Sequence, residues 1–113
     1  MQFTCSIKQN YEFRRVYRAG KSAASGLIAV YCRRRRGGDS QLGITVSTKV
    51  GKAVVRNQIR RRLKEIYRLH ELEFRRGFDV VVVARVKSRG ATYQQLEKDF
   101  LRLADKLGLW VKP

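Results

Sequence analysis

The chain has 113 residues, with 26 Lys or Arg against nine Asp or Glu, and a formal net charge of +17. Its length and 43% hydrophobic content suit one compact domain over residues 1–113, and no apolar run approaches the length of a membrane span. Self-repulsion at this charge opposes a compact state unless a polyanion relieves it, so nucleic acid is the expected partner ahead of an anionic membrane surface.

Residues 1–9 read as a short N-terminal arm. Asn10 is placed to cap a first helix that runs to about Ala19 and stops at Gly20. Phe13, Val16 and Tyr17 share one side of it at i, i+3 and i+4. Residues 27–33 read as a strand, followed by four arginines and Gly37-Gly38-Asp39 as a hairpin-like turn, with residues 42–47 as the returning strand. Alternation directs Ile28, Val30, Ile44 and Val46 to a core and sets Tyr31, Thr45 and Ser47 on the opposite, mostly polar face. A further strand between Gly20 and Ser25 is only weakly signalled. Gly51 precedes a long helix over about residues 53–75, which Gly77 ends. Residues 78–86 contain four successive valines, the mark of a strand buried on both faces. Thr92 and Gln95 form a capping box for a last helix with Leu96, Phe100, Leu103 and Leu107 on its apolar stripe. The expected class is α/β, an α+β sandwich in the order α-β-β-(β)-α-β-α.

The densest charge lies in residues 49–68, KVGKAVVRNQIRRRLKEIYR, with eight Lys or Arg and one acid, Glu65. Val55, Ile59, Leu63 and Ile66 recur there at helical spacing. At ~100° per residue their centre lies roughly 150° from that of Arg56, Arg60, Lys64 and Arg68, with Asn57 and Arg61 on the basic side. One face docks and the other presents cations at fixed positions, an arrangement suited to a phosphate backbone.

Chemistry of the chain's own is not legible. The acids are scattered, and His70 lies near the apolar side of the long helix with no orienting partner close in sequence. Gly51-Lys52 lacks the spacing of a phosphate-binding loop. Two cysteines and one histidine do not complete a zinc site, and Cys5 and Cys32 are expected as reduced thiols of a cytoplasmic protein. Tyr31, an aromatic on a polar sheet face beside basic residues, reads as a stacking platform for an unpaired base. If the first helix flanks that face, Phe13 and Tyr17 complete a groove for single-stranded nucleic acid.

The segment GITVSTKVGKAVVRNQIRRRLKEIYR resembles the signature of the bacterial ribonuclease P protein subunit. That signature is a Gly-containing strand, then Val-Ser-x-Lys-x-Gly-x-Ala-Val-x-Arg-Asn, then a basic helix. FRRVYRAGKS, LIAVYC, FDVVVVAR and the last helix extend the similarity over nearly the whole chain. Two positions depart from the pattern: Lys52 stands before the Ala-Val pair where the family commonly has Asn, and Gln58 replaces the last residue of the usual Arg-Asn-Arg triplet.

The resemblance implies a mixed four-stranded sheet packed with three helices and a left-handed βαβ crossover, against the general rule. It implies as partners the catalytic RNA of ribonuclease P and precursor tRNA, with no membrane and no small-molecule substrate. The RNA would supply the active site and its Mg2+, and the protein none of the catalytic groups. Lys49, Lys52, Arg56, Asn57, Arg60, Arg61, Lys64 and Arg68 would face the RNA subunit. Phe13, Tyr17 and Tyr31, with Thr45 and Ser47, would hold the 5′ leader. Two other classes share the charge and size. A ribosomal-type or RNA-chaperone protein would need no leader groove. An autonomous nuclease or DNA-binding regulator would need a constellation or a helix-turn-helix pair that is not apparent here.

Overall fold

The computed structural model describes residues 1–111. Five strands, β1 (Thr4–Ser6), β2 (Lys21–Ala24), β3 (Ile28–Arg34), β4 (Ser40–Val46) and β5 (Phe78–Ala84), form one mixed sheet in the order β1-β4-β5-β3-β2. The helices are α1 (Asn10–Ala19), α2 (Ala53–His70) and α3 (Tyr93–Lys106). β5 runs parallel to β4 and antiparallel to β3, and β1 runs parallel to β4. The long parallel connection is therefore β4-α2-β5.

The four valines explain the sheet order. Val80 and Val82 point into the larger core, beneath α2 and α3, while Val81 packs with Ile7 and Val16 of α1 on the other face and Val83 flanks them. A strand that is apolar on both faces is satisfied only in the middle of a covered sheet. β5 therefore takes the central place and separates β3 from β4. This corrects the hairpin expected from the sequence. The arginine run with Gly37 and Gly38, both at positive φ, is a turn between strands that do not pair.

The sheet has five strands rather than four. β2 pairs with β3 as a real hairpin, closed by the Ser25 hydroxyl, which accepts from the N–H groups of Leu27 and Ile28. β1 lies inside the segment read as an arm. It is held by pairing to residues 40–42 and by the buried carboxylate of Glu71, which accepts from the Gln2 and Phe3 N–H groups. Glu71 also accounts for the early end of α2. The helix stops at His70 and tightens into a 3-10 turn over Glu71–Glu73, instead of running to residue 75. Asn10 begins α1 as its first helical residue. Gln9 occupies the cap position and makes no side-chain bond there.

The amphipathic readings of α2 and α3 hold. Ile59, Leu63, Ile66 and Tyr67 of α2 are buried, and Val55 packs at the core's edge. In α3, Leu96, Phe100 and Leu103 are buried with Leu107 alongside, and Thr92 and Gln95 complete the capping box reciprocally at 3.1 and 2.9 Å. Gly51 is in extended backbone, and a Cβ there would press on Val55 at 3.2 Å.

Two contacts tie α1 and the C-terminal tail to this frame. A Cβ at Gly43 of β4 would lie 2.5 Å from the Phe13 ring and 3.2 Å from Ile7. At the other end, His70 is held between Glu73 (3.1 Å) and Glu97 (3.0 Å), and Glu73 also accepts from the Trp110 indole at 3.0 Å. Burial alone would depress the imidazole's pKa, but the bonds to Glu97 and Glu73 and their charges outweigh it, so His70 is raised above its ordinary value.

Gly43→Ala should push the Phe13 ring off its seat and cost about 1–3 kcal/mol by overpacking. A urea midpoint equal to wild type would remove that contact from the account. For His70 the linkage sign is fixed. A raised folded pKa adds stability that is fully present below the unfolded value and is lost as pH rises through the folded one. Thermal unfolding between pH 5 and 9 should therefore show stability falling with pH, with the fall reduced in His70→Gln; identical profiles would contradict the clasp.

Candidate nucleic-acid interface

α1 lies across the sheet face opposite α2 and α3, and Val16 is its buried anchor against Val81. That docking lines up the aromatic side chains read from the sequence. Phe13 sits over Gly43, with its ring 6.5 Å from that of Tyr17. Tyr17 meets Tyr31 of β3 edge-on at 4.9 Å, and its hydroxyl lies 3.3 Å from the Thr45 hydroxyl of β4. Tyr17 is 38% exposed, while Phe13 and Tyr31 are half-buried. The row is therefore a cooperating surface whose members support one another and whose outer edges meet solvent. Ser47 lies beyond the end of β4. Its side chain accepts from the Lys49 N–H and caps the 3-10 turn Thr48–Val50, so it joins the approach to α2 rather than the sheet face.

The cationic face of α2 points outward. Lys49, Lys52, Asn57, Arg61, Lys64 and Arg68 are exposed, and Arg56 and Arg60 are half-buried. Three are tethered within the helix region. Arg56 donates to the Gly51 carbonyl at 3.1 Å, Arg60 to the Asn57 amide oxygen at 2.8 Å, and Arg68 is paired with Glu65. Arg68 is thereby partly neutralised, and the strongest unpaired field lies nearer the helix N-terminus. Arg62, third in the arginine run, turns away and donates to the Ala91 carbonyl.

Cations and aromatics meet at the open edge of β4. β1 pairs only with residues 40–42, so among the described residues no strand lies on the outer side of β4 from Gly43 onward. A groove of about 210 Å3 forms there between Phe13 on one side and Arg60 and Lys64 on the other, with Cys5 and Ile7 at its near end. Cys5 and Ile7 were missed because a three-residue strand carries no periodic signal. Gly43 could have been found, since a glycine inside a strand pattern marks close approach by another group.

Apart from Glu65, held by Arg68, the acids keep away from the basic face, and among the described residues none lines the groove. Asp39 pairs with Arg76, Asp79 with Arg35, and Asp99 with Arg102. Burial raises the Asp79 pKa against the pull of Arg35 and Arg33. Contrary to the sequence reading, His70 has an orienting partner close in sequence, Glu73 three residues on, and with Glu97 on its other nitrogen it is a structural clasp rather than a free base. Among the described residues no cluster of three or more His, Cys, Asp or Glu is placed to hold a metal, and no helix is long and apolar enough to cross a membrane.

Comparison with known proteins identifies the family. The family model described as Ribonuclease P matches residues 1–108. The ribonuclease P protein component of a Clostridium botulinum strain is 42% identical over 105 residues, covering 92% of this chain and 95% of the relative. That of Clostridioides difficile is 39% identical over 104 residues and covers 91% of each. The structure of the Staphylococcus aureus RNase P protein superposes with a TM-score of 0.86 at 31% identity, covering 93% of this chain and 96% of that one. The Thermotoga maritima RNase P protein gives a TM-score of 0.78 at 29% identity, over 86% and 92% of the two chains. The chain belongs to the ribonuclease P protein family, the protein subunits of an RNA-processing endoribonuclease that acts in tRNA maturation.

Proposed function

We propose that this chain binds the catalytic RNA of ribonuclease P through the outer face of α2 and holds the 5′ leader of precursor tRNA along the row Phe13, Tyr17, Tyr31 and Thr45. One observation carries the reading: the groove at the open edge of β4, where Arg60 and Lys64 face Phe13. A single strand lying there would meet cations for its phosphates on one wall and aromatic edges for its bases on the other.

Each part follows from elementary chemistry. Lys49, Lys52, Arg56, Arg60, Arg61 and Lys64 are mounted on a docked helix, so phosphate contact does not require the backbone to order first. Each neutralised phosphate contributes about 0.7–0.9 to the fall of log affinity with log salt. Asn57 positions Arg60 through its amide oxygen. Arg68, shared with Glu65, contributes less. Stacking on an aromatic side chain is worth about 1–3 kcal/mol per base and tolerates any sequence, which suits a leader that differs from one precursor to the next. Ser47 acts indirectly by capping the turn that carries Lys49.

In this reading scission belongs to the RNA, and Mg2+ enters with it. The chain lowers the concentration of Mg2+ that the RNA needs, by supplying fixed positive charge where phosphates of leader and RNA converge. The assembly works in the cytoplasm, with precursor tRNA as its substrate.

The test is reconstitution at low magnesium. Catalytic RNA with this chain should remove the leader from precursor tRNA, while the RNA-free protein should not. Tyr31→Ala and Tyr17→Ala should each weaken precursor binding by about 5- to 150-fold, the equivalent of about 1–3 kcal/mol, and leave mature tRNA unaffected. Cleavage that follows the protein alone, or equal weakening of precursor and mature tRNA, would overturn the reading.

A further inference from the structure

A second basic concavity lies across β5 from the β4 edge, on the β3 and β2 side of the sheet. It encloses about 830 Å3 where β2, β3 and β5 meet the turn after α3. Lys21, Arg34 and Arg75 line it, its floor includes Phe78 and Leu107, and among the described residues no carboxylate lines it; Arg33, also at its edge, lies opposite Asp79 on the neighbouring strand. The Arg75 guanidinium is fixed there by donating to the Gly108 carbonyl at 2.8 Å. Arg76, on the same wall, is turned toward Asp39 and stacks 4.7 Å over the Phe3 ring.

The chain path keeps this place separate from the groove at the β4 edge. β4 climbs from Ser40 to Val46, and α2 then descends to His70, shortly before Phe78. The groove is lined from the outer edge of β4 and the middle of α2, whereas the concavity lies across β5, on the β3 and β2 side of the sheet. One short single strand lying in the β4 groove does not also fill this concavity.

The lining specifies the ligand. Lys21, Arg34 and Arg75, with no acid among the described lining residues, call for more than one negative charge. A half-buried phenylalanine with a leucine beside it gives a flat apolar body somewhere to rest, which a bare phosphate does not need. The volume holds a base together with its flanking phosphates. We propose that this concavity is a second site for single-stranded RNA, with a base against Phe78 and Leu107 and its phosphates on Lys21, Arg34 and Arg75. The inference rests on RNA being the chain's partner but not on where the leader lies.

Nuclear magnetic resonance on the labelled full chain separates the two sites. The probe is a uridine pentanucleotide, with inorganic phosphate titrated in parallel. Phe78 and Leu107 signals should shift and saturate with the pentanucleotide, in wild type and in Tyr31→Ala alike. The double variant Lys21→Ala/Arg34→Ala, altered only at exposed side chains, should lose about tenfold or more in affinity at this site. Phe78→Leu, which keeps apolar bulk without a stacking face, should lose about fivefold or more. Shifts at Tyr17 and Tyr31 without any at Phe78 would overturn this proposal and leave the proposed function standing. Inorganic phosphate shifting the same signals at the same concentration would show a plain anion site and would also overturn it. Response at Phe78 with none at Tyr17 or Tyr31 would support this site and count against the leader groove.

Discussion

Docking of α2 on the sheet is the interaction on which the rest depends. Ile59, Leu63, Ile66 and Tyr67 are buried against the strands, and each aliphatic side chain so placed contributes about 1.5–3 kcal/mol relative to exposure. Those contacts fix the rotation of the helix about its axis. Once that is fixed, Lys52, Asn57, Arg61 and Lys64 have no choice but to face solvent, and the mutual repulsion of so many cations is carried by a rigid element instead of melting a loose one. Tyr67 extends the anchor further. Its ring packs with Phe74 and Phe100, and its hydroxyl reaches Thr4 of β1. The end of α2 thereby also fixes the N-terminal edge strand.

That edge strand is short, and its shortness makes the groove. Had β1 continued beside Gly43 and Ile44, the outer side of β4 would be paired and Phe13 would be walled off from Arg60 and Lys64. Open strand edges normally invite aggregation. Here the flanking cations discourage a second copy of this chain while remaining attractive to a polyanion. Gly43 contributes by what it lacks: without a Cβ, it lets the Phe13 ring lie on the backbone and brings α1 close enough for Tyr17 to reach Thr45.

Legibility in the sequence followed the range of the interaction. The apolar stripes of α2 and α3, the Thr92–Gln95 box and the double-sided valine strand are local patterns, and each appears where periodicity puts it. The placement of Tyr31 with Thr45 on one face followed from alternation alone. What escaped were pairings decided by distant residues. β1 exists because Glu71, far along the chain, captures two N–H groups near the N-terminus. β3 and β4 look like a hairpin until β5, with apolar residues on both faces, claims the place between them. The helix α2 reads as longer than it is because residues 71–75 keep helical composition, while Glu71 and Phe74 are recruited to β1 and to the bridge with Trp110. The residues of the proposed interface were legible as types, basic and aromatic. Their meeting in one groove was not, because it depends on the unseen length of β1.

Charge on α2 is the centre of the account, and its salt dependence is the direct probe. Affinity of the chain for ribonuclease P RNA should be measured across a salt series, for wild type and for the double variant Arg60→Gln/Arg61→Gln. If both guanidinium groups lie on phosphates, the slope of log affinity against log salt should flatten by about 1.4–1.8. A slope identical to wild type would mean that these cations are merely solvated, and would contradict the claim that the docked helix exists to hold polynucleotide.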